Sequence, residues 1–164
     1  MQILESQSII DELGLDYFRG LSTFGAISEA AITDLISKGS VVSLTQGEVL
    51  KGYQAEVTGF TIVLQGDIAF YKHCEGHDVL TRHFIAGEQI GFDTMIAMIP
   101  NSGTEIAFED SIVLEVSSTQ FFDLHLDYPA DFGLFMINLA RELSREIAML
   151  EDVIGKSTGW RINE

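Results

Sequence analysis

Between Ser40 and Val116 the apolar residues come in short runs, each closed by a turn signal. Val41-Val42, Val49-Leu50, Phe60 to Leu64, Ile68 to Tyr71, Val79 to Ile85, Thr104 to Phe108 and Ile112 to Val116 are the runs. Gln46-Gly47-Glu48, Gln65-Gly66-Asp67, Glu75-Gly76 and Glu109-Asp110 are the turns. Seven or eight strands this short cannot bury themselves singly, and every open sheet edge invites unwanted pairing. The spacing therefore predicts a sandwich, a jelly roll or a small barrel, in which closure removes the edges. Phe60, Ile62 and Leu64 fall on one strand face, and Val113 and Glu115 alternate with Ile112, Leu114 and Val116, so the last strand is half buried.

Helices flank this run. Residues 6–18 carry Ile9, Ile10, Leu13 and Phe18 at roughly helical spacing. Ser28-Glu29 opens a second helix with Ala31, Ile32, Leu35 and Ile36 inward, ending at Lys38-Gly39. Ser118 is placed to cap a short helix holding Phe121, Phe122 and Leu124. Pro129 suits the first position of a long one, where its missing N–H costs nothing. That helix has an apolar stripe of Phe132, Met136, Leu139, Leu143, Ile147, Leu150 and Ile154, with Arg141, Glu142, Arg145, Glu146, Glu151 and Asp152 opposite. A roll of this size leaves the far end of such a helix uncovered unless the helix folds back. A second copy is the natural cover, so the 129–154 helix is expected to form a homodimer. The organisation predicted is N-terminal helices over 1–39, the roll over 40–117, C-terminal helices over 118–155 and a tail over 156–164.

The formal charge of −16 excludes a general nucleic-acid surface and an anionic membrane as partners. One cysteine, Cys74, allows no internal disulfide and fits a reducing compartment. Met1 to Glu5 lack a basic, apolar leader pattern, and no apolar run approaches the length of a membrane helix. A cytoplasmic location is expected.

The stretch 87–104 carries the most functional information. Gly87-Glu88-Gln89-Ile90-Gly91-Phe92-Asp93-Thr94 follows the strand run. A short apolar segment from Met95 to Ile99 comes next, then Pro100-Asn101-Ser102-Gly103-Thr104. This is a strand, a tight turn, one short helix and a return, with Gly91 allowing close backbone approach and the helix start offering N–H groups to an anion. The arrangement resembles the phosphate-binding cassette of the cyclic nucleotide-binding domain family, and the resemblance runs from about Leu21 to Ile154. It implies a mainly β fold with flanking helices, a double-stranded β-helix or jelly roll plus a long C-terminal helix that lines a parallel dimer seam and closes the ligand pocket. In that family a Glu after the Phe-Gly pair binds the ribose and an Arg in Pro-Arg-x-Ala binds the cyclic phosphate. Here those two positions hold Phe92 and Asn101. Gln54 stands where the family pattern has a glycine. The family's transcription factors carry a helix-turn-helix beyond the long helix, and only about ten residues follow here.

Gly91, Phe92, Asp93, Thr94, Asn101, Ser102 and Gly103, with Arg82 on the strand before them, are the candidate pocket residues. An Arg grips a phosphate diester with charge-assisted forks that Asn101 and Ser102 lack. Arg82 entering from the opposite wall, or Asp93 taking the ribose contact, would be the compensations, with an ion pair elsewhere the bland role for Arg82. Phe92, Met95, Met98 and Ile99 suggest a pocket turned apolar, more simply filled by these side chains than built for a hydrophobic ligand or haem. His73-Cys74-Glu75-Gly76-His77 has metal-like spacing on a hairpin tip, where a solvated turn is the simpler reading, and no metal is assigned. No nucleophile motif or phosphate loop is present, so no catalytic residue is assigned and no enzyme is expected. The expectation is a non-enzymatic sensor or regulatory module with a degenerate cyclic nucleotide site. It would have a different ligand or none, no fixed cofactor, and a partner protein that reads the helix. A ligand-free dimerisation or docking scaffold is the alternative, and a metal-binding or enzymatic barrel comes third.

Overall fold

The computed structural model describes residues 1–158, so Trp160 and Arg161 of the expected tail lie outside the described residues. Helix α1 (Ser6–Leu13) and helix α2 (Leu15–Gly20) replace the single helix expected over 6–18. Gly14 at φ +77° separates them, a left-handed turn of the chain that breaks the helical ladder. Helix α3 (Glu29–Lys38) begins as expected, with the Ser28 hydroxyl accepting from the Ala31 N–H. Gly39 ends it for lack of space and not for a positive φ. A Cβ there would meet Leu114 Cδ1 at 2.5 Å and the Leu35 carbonyl at 2.8 Å.

The strands form two antiparallel sheets. In chain order they are β1 (Gln2–Leu4), β2 (Ser40–Leu44), β3 (Val49–Lys51), β4 (Gly59–Gln65), β5 (Asp67–Cys74), β6 (His77–Ile85), β7 (Gln89–Ile90), β8 (Gly103–Ala107) and β9 (Ser111–Ser117). One sheet has the order β1-β2-β9-β4-β7 and the other β3-β8-β5-β6. All seven expected strands are present. The additions are β7, only two residues long, and β1, which pairs Leu4 with Val41, so residues 1–39 are not helices alone.

The inner strand β4 is buried on both faces. Phe60, Ile62 and Leu64 face the helices, in a core with Phe18, Phe24, Leu35 and Phe135. Val63 faces the second sheet, in a core with Ile68, Phe84 and Val113. The roll is thus two sheets packed face to face with helices over one of them.

Helix α5 (Ser118–Asp127) is capped one residue earlier than expected, by Ser117 in a reciprocal box with Gln120. Helix α6 (Pro129–Thr158) opens at Pro129 as expected and runs past the anticipated end at 155. Asp131 of α6 accepts from the Ser28 N–H at 2.7 Å and hydroxyl at 2.8 Å, pinning it to the start of α3. Its first half is anchored by buried Phe135 and Leu139, with Phe132, Met136 and Leu143 partly covered. Phe135 was not in the expected stripe. From Ile147 onward the apolar side chains, Leu150, Val153 and Ile154 among them, are exposed. Glu142 and Glu146, placed opposite the apolar stripe by their spacing, turn toward the roll and meet Arg82. No helix among the described residues is long and apolar enough to cross a membrane.

Candidate functional site

The second sheet builds the floor of a cavity of about 320 Å³. Phe70 on β5 is in register with Arg82 on β6 and with Glu105 on β8. Register partners project to the same side, so a guanidinium, a ring and a carboxylate form one row across three strands. Phe84, two residues from Arg82, stacks under the guanidinium at 4.1 Å from its ring centre. Lys72 lies on the same floor. The stretch after β7 forms one wall, and Glu146, Met149 and Leu150 of α6 form the roof.

The wall keeps the expected backbone. Gly91 at φ +83° caps helix α4 (Phe92–Ala97), Met98 at φ +55° ends it, and the Ile99 N–H returns to the Thr94 carbonyl at 3.1 Å. The Thr94 hydroxyl donates to the Gly91 carbonyl at 2.9 Å. Gln54, standing where a glycine was anticipated, takes φ +64° and donates its N–H to the Asn101 carbonyl at 2.9 Å. The loop shape survives although a side chain now sits in a conformation that glycine would adopt freely.

Of the candidate residues, Gly91, Asp93, Thr94, Asn101, Ser102 and Arg82 line the cavity; Phe92 and Gly103 do not. Phe92 is core. Its ring packs edge-on to Phe60 and Phe121, with centroids 5.5 and 5.7 Å away. Its N–H is taken by the buried Gln89 side chain at 3.0 Å, which closes one of the donors expected to face an anion. Gly103 is a packing glycine, since a Cβ there would meet the Tyr71 carbonyl at 2.3 Å and the Phe70 ring at 2.7 Å. The expectation that Phe92, Met95, Met98 and Ile99 fill the cavity is corrected. Phe92 and Met95 pack into the helical core, while Met98 and Ile99 are exposed at the tip. The hollow stays open, and charged and polar side chains such as Arg82, Lys72, Asp93 and Glu105 share its lining with apolar Phe70, Phe84, Ile90 and Leu150.

Asn101 is buried and its amide is already engaged. Nδ2 donates to the Gly52 carbonyl at 3.3 Å and to Glu105 Oε1 at 3.1 Å. Glu105 is only 2% exposed, and its other oxygen, Oε2, has no hydrogen-bond partner. Burial pushes its carboxyl up to about 7, against the opposing pull of Lys51 and the Asn101 amide. Sequence reasoning missed Glu105. The available signal was the inward alternation of β8, where a carboxylate sits between Gly103 and Ala107 on an otherwise small, apolar face.

Arg82 satisfies both readings considered for it: it lines the cavity and it is paired. Nη2 lies 3.5 Å from Glu88 Oε1 and 3.5 Å from Glu142 Oε1. Nη1 abuts Glu146 Oε2 without an aligned hydrogen bond. Glu142 also accepts from the Gln89 N–H at 3.0 Å. Burial pushes its carboxyl up to about 7, with the Gln89 N–H and Arg82 opposing and Glu88 and Glu146 reinforcing. Arg82 therefore ties α6 to the strand leading into the wall.

His73 of the hairpin is engaged away from the cavity. His73 Nδ1 is 2.9 Å from Asp78 Oδ1, its ring lies 4.2 Å from that of Tyr53, and Cys74 is exposed. Among the described residues no group of three or more His, Cys, Asp or Glu side chains is placed to hold a metal.

No protein-family model and no curated protein matches the sequence. Solved structures do match the fold. A cyclic nucleotide-binding domain from Methylobacillus flagellatus KT superposes with a TM-score of 0.81 at 18% identity, over 98% of this chain and 92% of that one. The catabolite activator protein of Thermus thermophilus gives 0.68 at 19% identity, over 81% of this chain and 61% of that one. The regulatory domain of Toxoplasma gondii PKA, crystallised with cAMP, gives 0.67 at 14% identity, over 84% and 51%. Similarity at this level of identity speaks for the backbone and not for the side chains that hold a ligand. The chain has the fold of the cyclic nucleotide-binding domain, a jelly roll with a long C-terminal helix.

Proposed function

We propose that this chain is a non-enzymatic sensor or regulatory module whose cavity no longer takes cyclic nucleotides by the route the fold is associated with. The observation that carries this is the fate of two positions. Phe92 is locked in an aromatic core, and Asn101 spends its amide on Gly52 and Glu105. Neither can grip a sugar or a phosphate. Arg82 does not replace the missing cation, because Glu88, Glu142 and Glu146 already face it. A phosphate would have to displace them inside a chain of charge −16. An open cavity favours a different ligand over a scaffold packed shut.

The output runs through α6. A ligand that disturbs the pairing of Arg82 with Glu146 shifts the angle of the helix, and a partner protein in the cytoplasm reads the shift. The exposed apolar face from Ile147 to Ile154 is covered by the same helix of a second copy, giving a homodimer through 129–154. Thermal shift with cyclic AMP and cyclic GMP tests the ligand part. No stabilisation is expected at micromolar nucleotide, and a clear rise in Tm there overturns it. Native mass spectrometry of freshly purified protein reports copy number and any retained ligand in one measurement.

A further inference from the structure

The cavity's polarity is reversed at the cassette end. Beside Asn101, which stands where the fold's ligand would need a cation, lies the buried carboxylate of Glu105, its Oε1 accepting from the Asn101 amide and its Oε2 without a partner. Around the hollow and directly behind Arg82, five carboxylates (Asp93, Glu105, Glu146, Glu88 and Glu142) stand against two cations, Lys72 and Arg82. Glu105 makes no ion pair among the described residues, and its Oε2 is a buried acceptor without a donor. Such an atom is costly to leave unmet, so it marks where a ligand donor belongs. The rest of the lining fits an apolar or aromatic body: Phe70 and Phe84 below, Ile90 at the side, Leu150 above.

We infer that the cavity binds a small organic amine, its ammonium or amidinium group donating to Glu105 Oε2 and its apolar body lying over Phe70 beneath α6. This rests on the reading of the chain as a sensor with an altered ligand, and it names the ligand class. The body of such a ligand meets Met149 and Leu150 of the helix, which couples occupancy to α6. Affinity should depend on pH through the ionisation of Glu105. The groups that bear on that ionisation are Lys51 of β3, Asp93 of α4, Glu115 of β9 and the Asn101 amide. Lys72 of β5 shares the cavity.

Isothermal titration and thermal shift with phenethylamine and benzamidine test this, with phenylacetate and cyclic AMP as anionic counterparts. Both amines should bind, and affinity should rise up to about tenfold between pH 6 and pH 8 as the carboxylate ionises. Glu105→Gln keeps the size and the Asn101 contact. It should weaken both amines about tenfold or more at pH 8 and flatten the pH dependence. Amines that bind the variant as well as the wild type, or that bind neither, overturn the inference, as does preferential binding of phenylacetate. Circular dichroism of the variant separates lost binding from lost fold; should the variant not fold, the pH profile of the wild type decides. The cyclic AMP arm stands apart. Stabilisation by cyclic AMP overturns the altered-ligand reading itself, whereas silence from every compound overturns only the amine.

Discussion

The two sides of the inner strand β4 and its neighbours are built from opposite materials. Under the helices, Phe60 is surrounded by Phe92, Phe121 and Phe135 at centroid distances of 5.5 to 6.1 Å. Under the far half of α6, the row through Phe70 is flanked by a guanidinium and a carboxylate, both almost wholly withdrawn from water. The first region gains stability from burial and edge-on ring packing. In the second, Arg82 is held by its carboxylate partners, while buried Glu105 has only the Asn101 amide. A fold can hold both because the helices seal one side, while the other keeps a hollow.

The largest expected effect breaks the aromatic side. Phe60→Ala removes a ring that is 1% exposed and touches three others. It should cost on the order of 3–5 kcal/mol in urea unfolding. Phe70→Ala at the cavity floor opens onto existing space and should cost well under half as much. Equal losses would mean that the cavity floor is as tightly packed as the core.

Arg82→Ala comes next. It strips the cation from Glu88, Glu142 and Glu146 together, leaving buried Glu142 with only the Gln89 N–H. A loss of about 3 kcal/mol is expected at pH 8, and a smaller one at pH 5.5, where Glu142 can take a proton. Adding Glu142→Gln to Arg82→Ala should recover part of the loss. If Arg82→Ala is silent at pH 8, the charged row does not hold α6.

These two regions also differ in how far they were legible from the residues. Strand and turn chemistry exposed the roll, because Gly47, Gly66 and Gly76 take positive φ at the turns. Pro129 and the Ser28 cap fixed two helix starts. The stripe on α6 was right at Leu139 and missed Phe135, since periodicity gives a face and not its width. The site was half legible. The cassette turn was visible in Gly91 and Pro100, so the wall was found. Of the floor only Arg82 was anticipated; Phe70 and Glu105 were not, because only the cross-strand register of β5, β6 and β8 brings the three into one row. Glu142 and Glu146 were legible only as lying opposite the apolar stripe, because helical spacing cannot reveal that Arg82 waits there.

A smaller effect sharpens the polar side through pH. The folded carboxyl of Glu105 lies near 7, above the usual 4.5. Its contribution is therefore fully present below about 4.5 and lost as pH rises through about 7, where the folded chain must hold an ionised group in the dry. Glu105→Gln never ionises. It should be more stable than wild type by about 1–3 kcal/mol at pH 8, with the gap closing toward pH 5. Denaturant midpoints at both pH values measure this. A variant less stable at pH 8 would show that the ionised carboxylate has a compensating cation.

The smallest effect on the folded chain is expected where the exposed half of α6 leaves the roll. Leu150 and Ile154 are half exposed, and removing either apolar group takes little from the monomer. Leu150→Ser with Ile154→Ser should change unfolding stability of a single chain by no more than about 0.5 kcal/mol per site. The same pair should reduce the mass by light scattering from a dimer to the 18.1 kDa of one chain, since a polar stripe gives a second helix nothing to bury. The contrast with Phe60 separates two uses of an apolar residue: inside the roll it holds one chain together, and on the far half of α6 the proposed dimer would have it hold two. A wild type that already scatters as 18.1 kDa ends the second use. A double variant that stays dimeric moves the seam away from these residues.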